Sequence, residues 1–517
     1  MTTRIKTFAI GLAVMIALMV VFSLIAPHYS TKIVWFARGQ SWWVIPLLAL
    51  IFLWAKALQH AQRNDVRPRD ATGLAWAYSM AGVLGAGLLL GWGFYHSYVV
   101  SRVYASSITV TSDPLPTYFE RAPYQVADSQ ASSNMGDTQG EIASTRYLLD
   151  ADDYGTLVKR RGRLTGYESL LVQKLPLTGR GSATQCDFAP VADARIGGLF
   201  GHSLERQIHG QRRHVRAREE DSYGYCKEGR PVVVMPLVRQ QGLLRVTVVP
   251  AGVALYDGET GAVTFAESTD VGPSYPISVA ARQRTASHAL GSFSDYFWRR
   301  AGYDSTDDTP NDPNLGNATE FTLAGESAAY VTPLTVRGRA TSISFISEVS
   351  TAGRRGLARL TVHRLDPTWL STDSFVKRIQ GDYQDIPNYQ NLTVFEVAPL
   401  DGRRWVATLG NDQNILYRVQ GTGDLQPTAA GLGDATCLFR ADGSRIRCGT
   451  LADQNGSGVG TQFGPQTGTA EPRKGQTPLL PTDLAGLTAE QFAQLQRKVA
   501  EEQLRRLQTS PSPAAGG

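Results

Sequence analysis

Twenty consecutive residues without a charge, Thr7 to Ala26 (TFAIGLAVMIALMVVFSLIA), constrain this chain more than any other stretch. At about 1.5 Å per residue, a helix of that length crosses the roughly 30 Å hydrocarbon layer of a bilayer. A secretory signal is the rival reading, but its apolar core runs roughly 7–15 residues and ends at a small-x-small cleavage site. Here the run is longer and Pro27-His28-Tyr29 follows it. An uncleaved membrane helix is therefore expected.

Two more spans follow. Trp42 to Leu58 (WWVIPLLALIFLWAKAL) is short, with tryptophans suited to both interfaces and Lys56 able to reach outward. A re-entrant segment is its rival. Gly73 to Tyr95 contains GVLGAGLLLGWG, in which Gly87 and Gly91 form a GxxxG and Ala81 and Gly85 a second small-xxx-small pair. Such faces let helix backbones approach closely, within the chain or between two copies of it. Arg4, Lys6, Lys56, Arg63, Arg67 and Arg69 fall on one side of these spans, whereas the other side has Lys32, Arg38 and Arg102. The positive-inside rule then predicts a cytoplasmic N-terminus and an extracytoplasmic location for everything after about residue 98. No charge lies within spans one or three, so an ion path has no evident carrier.

The remainder reads as soluble protein. A chain of 517 residues with 42% hydrophobic residues implies several domains. The net charge of +5 is too mild to argue for specific nucleic acid. Nine of the 51 basic residues are lysine, a bias that a GC-rich genome explains. A linker and a polar helical stretch lead into strand-like GRLTGYESLLVQKLPL (162–177). Phe200, Leu204, Ile208 and Val215 are spaced for one amphipathic helix. From Pro231 the chain turns to alternating and continuous apolar runs punctuated by Gly, Pro and Asp-Gly. Residues 328–349 look similar: aligned on Pro236 and Pro333 with one gap, both stretches place V-x-P-L before a glycine turn and a second strand. A duplicated β unit is one reading, coincidence between two hairpins the other. Ser278 to Arg300 reads as a helix ending in an aromatic cluster. LTVFEVAP, RRWVATLG and NILYRVQG then form a meander.

The expected fold is a membrane-anchored α+β protein. Three N-terminal helices (about 7–26, 42–58 and 73–95, within residues 1–104) precede a largely antiparallel β-rich region. That region divides into an α/β part over 105–230, a β-rich subdomain over 231–365 and a β-meander subdomain over 366–450. A flexible Gly/Gln/Thr/Pro linker (451–486) and an amphipathic terminal helix (487–508), opened by the capping box Thr488-x-x-Gln491, complete it.

Cys437 and Cys448 flank Asp442-Gly443. A two-residue Asp-Gly turn would pair 439 with 446 and 437 with 448, with Phe439 and Ile446 beside the thiols on the core side. Since this region is expected in an oxidising compartment, a Cys437–Cys448 disulfide is predicted, and Cys186–Cys226 as a second.

Catalytic signatures are sparse: the chain has no HExxH, GxSxG, Walker A or CxxC. His202, His209 and His214 lack a carboxylate or Cys at ligand spacing and lie among arginines. Arg206, Arg212, Arg213 and Arg216 make a candidate anion-binding patch. The acidic loop with Asp304, Asp307, Asp308, Asp312 and Glu320 lacks the EF-hand order. No cofactor or metal is expected. VALYDGETGAVTF (253–265) resembles the strand, D-x-x-T-G turn and strand of small extracytoplasmic PepSY-type modules, and no functional residue is carried over from that likeness. The leading expectation is a non-enzymatic membrane protein whose outer domain serves envelope assembly or partner binding. It would contact lipid and other envelope proteins and self-associate through span three. An accessory subunit of a secretion or transport complex, and a tethered enzyme acting on envelope material, are the alternatives.

Overall fold

The computed structural model describes residues 13–14, 17–24, 26–63, 71–136, 140–148, 153–177, 181–305, 321–325, 328–338, 342–353, 355–411, 413–425 and 436–449. Nine of the twenty residues of the expected first span, the linker over 451–486 and the terminal helix over 487–508 lie outside them.

Helix α1 runs from Pro27 to Arg63 and α2 from Ala71 to Ala105. Both are longer than the spans expected at 42–58 and 73–95. The supposed loop before Trp42 is helical, and its apolar pattern is weak because the face it buries is largely polar. His28, Thr31, Trp35 and Ser41, at helical spacing, are each at least nine-tenths buried. They pack on the body of the protein, not on lipid-like neighbours. The last turns of α2 do likewise: Arg102 donates to the carbonyls of Ala289 and Leu290, and the Tyr104 hydroxyl to Val248. The stretches 27–52 and 82–105, which include these docked ends, are long and apolar enough to cross a membrane. The two helices meet where Trp92 donates to the Trp42 carbonyl at 2.7 Å.

After the short strand β1 (Ile108–Thr111) the body is built, among the described residues, from four copies of one plan: a helix followed by an antiparallel four-stranded meander. Module one has α3 (Tyr124–Asn134) and strands β2 (Gly140–Leu148), β3 (Asp153–Arg160), β4 (Tyr167–Lys174) and β5 (Ser182–Asp187). Module two has α4 (Leu204–Gln211), a broken first strand β6 (Val215–Ala217) and β7 (Tyr223–Lys227), then β8 (Arg230–Gln241), β9 (Thr247–Asp257) and β10 (Val263–Ala266). Module three has α5 (Ile277–Thr285), α6 (Phe293–Phe297), a broken strand β11 (Tyr303–Ser305) and β12 (Phe321–Leu323), then β13 (Ala329–Val336), β14 (Ile343–Ser350) and β15 (Leu360–Trp369). Module four has α7 (Thr372–Asp382), β16 (Thr393–Pro399), β17 (Arg404–Asn411), β18 (Asn414–Thr422) and β19 (Thr436–Arg440), extended by β20 (Arg445–Cys448).

The repetition lies in the register. Val234 sits between Tyr223 and Leu255, and Val331 between Phe321 and Glu348. Val263 faces Tyr256 as Leu360 faces Val349. Pro236 pairs with Val253 as Pro333 pairs with Ile346. The sequence alignment on the two prolines therefore holds along the first strand. The second strand needs a larger gap, because β8 and β9 continue past a bulge at Pro236/Val238 to a tip near Gly242. Modules one and four share irregularities at matching places: Ile142/Ser144 with Val394/Val397 in the first strand, and Val158/Lys159 with Leu409/Gly410 in the second. The Pro236 bulge falls in the same strand of module two, so three modules bend there alike.

Shared cores link the modules in a closed ring. Leu157 and Leu170 of module one pack with Leu204 and Met235 of module two, and Val238 of module two with Val279 and Leu334 of module three. Phe321 of module three meets Phe375 and Trp405 of module four, and Phe395 of module four meets Tyr124 and Tyr154 of module one.

Two helix expectations need correction. The helix expected across Phe200 to Val215 covers only Leu204–Gln211; Leu204 and Ile208 are buried, but Phe200 is exposed and Val215 is already in β6. The helix expected over Ser278–Arg300 breaks near Gly291, because Ser292 and Asp295 form a capping box that starts α6 afresh.

The cysteines form two pairs at disulfide distance, Cys186 with Cys226 between modules one and two, and Cys437 with Cys448 across β19 and β20. The hairpin reaches its pairing by a route other than a two-residue turn. Gly443 adopts φ +83°, Gly443 N–H donates to Arg440, and Arg440 N–H donates to Ser444. This three-residue loop, a type I turn closed by a left-handed glycine, shifts the register by one and pairs Phe439 with Arg445. A bulge at Ile446 restores it, so Leu438 faces Arg447 and Cys437 faces Cys448. Leu438 and Arg447 are consequently buried and Ile446 is exposed, the reverse of what a two-residue turn gives, while Cys437 is buried as expected. Gly449 N–H donates to Thr436, which makes 437/448 a non-hydrogen-bonded pair, the closer of the two antiparallel spacings.

Candidate functional site

The docked end of α1 lies across one face of module two. Strand alternation in β6 turns Val215 and Ala217 into the core and leaves Arg216 exposed on the opposite face. Arg216 pairs with Val238, and Gln240, two residues on, shares that face. Trp35 seals part of it against Val238 and Val248, and its carbonyl accepts from the Gln240 side chain at 3.0 Å. Lys32 reaches Glu205, in the first turn of α4, at 3.2 Å, and the His28 ring stacks on His209 at 5.5 Å. At the tip of β8–β9, Arg38 donates to Gln240 and Gly242, Ser41 to Leu243, and His96 of α2 meets the Leu244 carbonyl.

What these contacts leave open is a cavity of about 530 Å³ between α1, α2 and the body. Lys32, Arg216, Arg218 and Arg282 line it against one carboxylate, Glu205, and Trp35, Phe36 and Trp42 supply its aromatic wall. Glu205 is engaged by Lys32, and Arg218 pairs with Glu220 at 2.7 Å. Arg216 and Arg282 have no carboxylate partner among the described residues. The Arg216 guanidinium lies 6.0 Å from the Trp35 ring. Trp35 is 9% exposed, yet among the described residues its indole N–H has no acceptor and the Gln240 side-chain oxygen has no donor. A buried indole donor without an acceptor is uncommon.

Of the anion-patch arginines, Arg216 faces this cavity. Arg212 lies over the Phe265 ring and donates to Ala251, Arg213 reaches Ser23, and Arg206 is exposed on α4. The three histidines part company: His202 bonds Asp193, His214 is exposed, and His209 bonds the Val215 carbonyl at 2.8 Å. Burial pushes the His209 imidazole down to about 4. No group of three or more metal-ligating side chains converges among the described residues. Of the acidic loop, Asp304 bonds His288 at 2.7 Å, while Asp307, Asp308, Asp312 and Glu320 lie outside the described residues.

A second polar cluster is closed upon itself. Arg121, in the linker before module one, bonds Glu396 at 2.9 Å, with both side chains under 5% exposed. It also donates to Thr322 and Ala122 and to the Tyr154 hydroxyl, and Tyr124 N–H donates to Glu396. One cation thus ties modules one, three and four at their meeting point. Burial pushes the Glu396 carboxyl up, and Arg121 opposes it. In module three, His363 bonds Glu348 at 3.1 Å and the Asp113 carbonyl at 3.1 Å, where module two has Ala266 and Leu255 at the matching register.

In span three, the Gly85 and Gly93 positions face Leu50 and Trp42 of α1. Gly87 and Gly91 have nothing within 4 Å of where a Cβ would stand among the described residues. Ala81 lies in α2 as well. No known protein family, curated protein or solved structure matches the chain.

Sequence reading found neither cavity nor linker arginine as a site. Arg216 was visible as part of a basic run, but its partners come from α1, which the sequence presents as a loop.

Proposed function

We propose that this is a multi-pass membrane protein whose N-terminus is cytoplasmic and whose four-module body stands outside the membrane as a binding and assembly platform. The observation that carries the reading is the surface of α1 and α2. Leu48, Ile51 and Phe52 on one helix, and Val83, Leu84, Leu88 and Leu90 on the other, are more than half exposed. An apolar surface of that extent does not persist in water and suits lipid. The two cysteine pairs and the Lys/Arg asymmetry support an outward-facing body. The buried Arg121–Glu396 pair joins modules one, three and four, which favours a structural role at that seam. Cysteine-accessibility mapping with a membrane-impermeant maleimide tests the topology: labels near residue 66 should react only from inside, and labels near residue 355 only from outside. Partners captured by the full chain should be lost on deleting residues 451–517. Turnover of an envelope substrate by the purified protein would replace this reading with a tethered enzyme.

A second reading, an accessory subunit of a secretion or transport complex, draws on the uncovered Gly87/Gly91 face. Leucine at both positions should then dissolve the complex without unfolding the chain; an intact complex refutes it.

A further inference from the structure

We infer that the cavity between α1, α2 and module two holds the phosphate headgroup of an anionic membrane lipid. The inference rests on the membrane reading above and adds the ligand. Three separate elements bring cations to the cavity: Lys32 from α1, Arg216 and Arg218 from β6 and the residue after it, and Arg282 from α5. Two of the four have no carboxylate partner among the described residues, so the cavity carries unneutralised positive charge. Arginine's planar fork matches phosphate oxygens in pairs.

The other wall gives the ligand its second half. Phe36 is 70% exposed, and Trp42 stacks on His96 where both helices leave the body. Leu243, Leu244, Phe297 and Trp298, on the neighbouring loop tip and α6, are likewise exposed. Aromatic and apolar side chains gathered at the start of two spans mark the level at which headgroups meet acyl chains. A lipid with its phosphate between Arg216 and Arg282 would run its chains along Phe36 and Trp42 into the bilayer. A free phosphate ester would satisfy the cations alone and leave the aromatic wall bare.

The test uses the full chain in detergent, titrated with dioctanoyl phosphatidylglycerol, dioctanoyl phosphatidylcholine and glycerol 3-phosphate, with bound ligand counted by native mass spectrometry. Phosphatidylglycerol should bind at one site. Affinity should fall at least tenfold in Arg216→Gln/Arg282→Gln and stay unchanged in Arg355→Gln, which removes an exposed cation elsewhere. Equal binding of phosphatidylcholine, or an unaffected double variant, overturns the inference. Glycerol 3-phosphate binding as tightly as the lipid overturns the lipid as source. Both arginines are exposed, and an unchanged melting midpoint checks that the double variant is folded. Alkaline carbonate washing separates the two claims: a protein stripped from membranes refutes the anchoring, whereas a retained protein without lipid refutes only this site.

Discussion

Arg121 and Glu396 allow the seam between modules to be tested as a double-mutant cycle. Glu396→Gln keeps the shape and an acceptor for Tyr124 N–H but removes the counter-charge from a guanidinium whose side chain is 3% exposed. Stripping one partner from a buried pair costs about 3–5 kcal/mol, because an uncompensated charge remains. Arg121→Met strands the carboxylate and also frees the Thr322 and Ala122 carbonyls, at about 1–3 kcal/mol for each left unsatisfied. The carboxylate can escape by binding a proton. Its folded pKa is already raised by burial, and losing Arg121 raises it further. A raised pKa favours the protonated form, so the Arg121→Met penalty should shrink as pH falls below the new value and grow above it. Glu396→Gln has no carboxyl to titrate at this site, so its stability should lack this contribution to the pH dependence. In Arg121→Met/Glu396→Gln the two charge losses are not additive, and a coupling of about 2–3 kcal/mol is expected. Urea unfolding of the full chain in detergent, followed by tryptophan fluorescence, measures all three; Trp405, fully buried in module four, reports on the seam. A coupling below about 1 kcal/mol would refute the view that the modules are held by this charge pair.

Three further outcomes are expected. Replacing both cysteines of a pair by alanine should cost about 3 kcal/mol for Cys437–Cys448 and about 4 kcal/mol for Cys186–Cys226, from the loop entropies of sequence separations 11 and 40; calorimetry measures both, and non-reducing mass spectrometry should find no free thiol. Because the His209 pKa is depressed, its contribution is fully present above about 6.5 and is lost as pH falls toward about 4, up to about 3 kcal/mol; His209→Gln should flatten that part of the stability–pH curve. Gly155→Ala would set a Cβ 2.0 Å from the Gly224 carbonyl at the seam of modules one and two, so a loss of about 2–3 kcal/mol is expected, whereas Gly87→Ala meets nothing among the described residues and should leave the melting point unchanged.

Much of the β architecture was legible because short-range chemistry dictates it. The alternation of LTVFEVAP and the Asp-Gly punctuation predict strands and turns that β16 to β20 realise. What escaped was information held between elements. The Asp442-Gly443 turn looks the same in sequence whether it spans two residues or three, and only the pairing of β19 with β20 distinguishes them. The docked end of α1 escaped because His28, Thr31 and Ser41 hide a buried face from any hydrophobicity pattern. Of the fourfold plan, the Pro236/Pro333 match exposed two copies. The other two share bulges and not residues: Val158 and Leu409 hold the place of the prolines. The cavity needs α1, β6 and α5 together, so sequence offered only one of its arginines as part of a basic run.

Pro46 stands inside α1, between the docked end at Trp35 and the exposed apolar residues Ile51 and Phe52. A proline has no N–H to give to the carbonyl four residues back, here that of Trp42, which accepts instead from the Trp92 indole of α2. The helix therefore has a place to bend where its docked part meets its apolar part. A change in tilt of the apolar part is taken up at Pro46, which leaves Lys32 and Trp35 seated on module two.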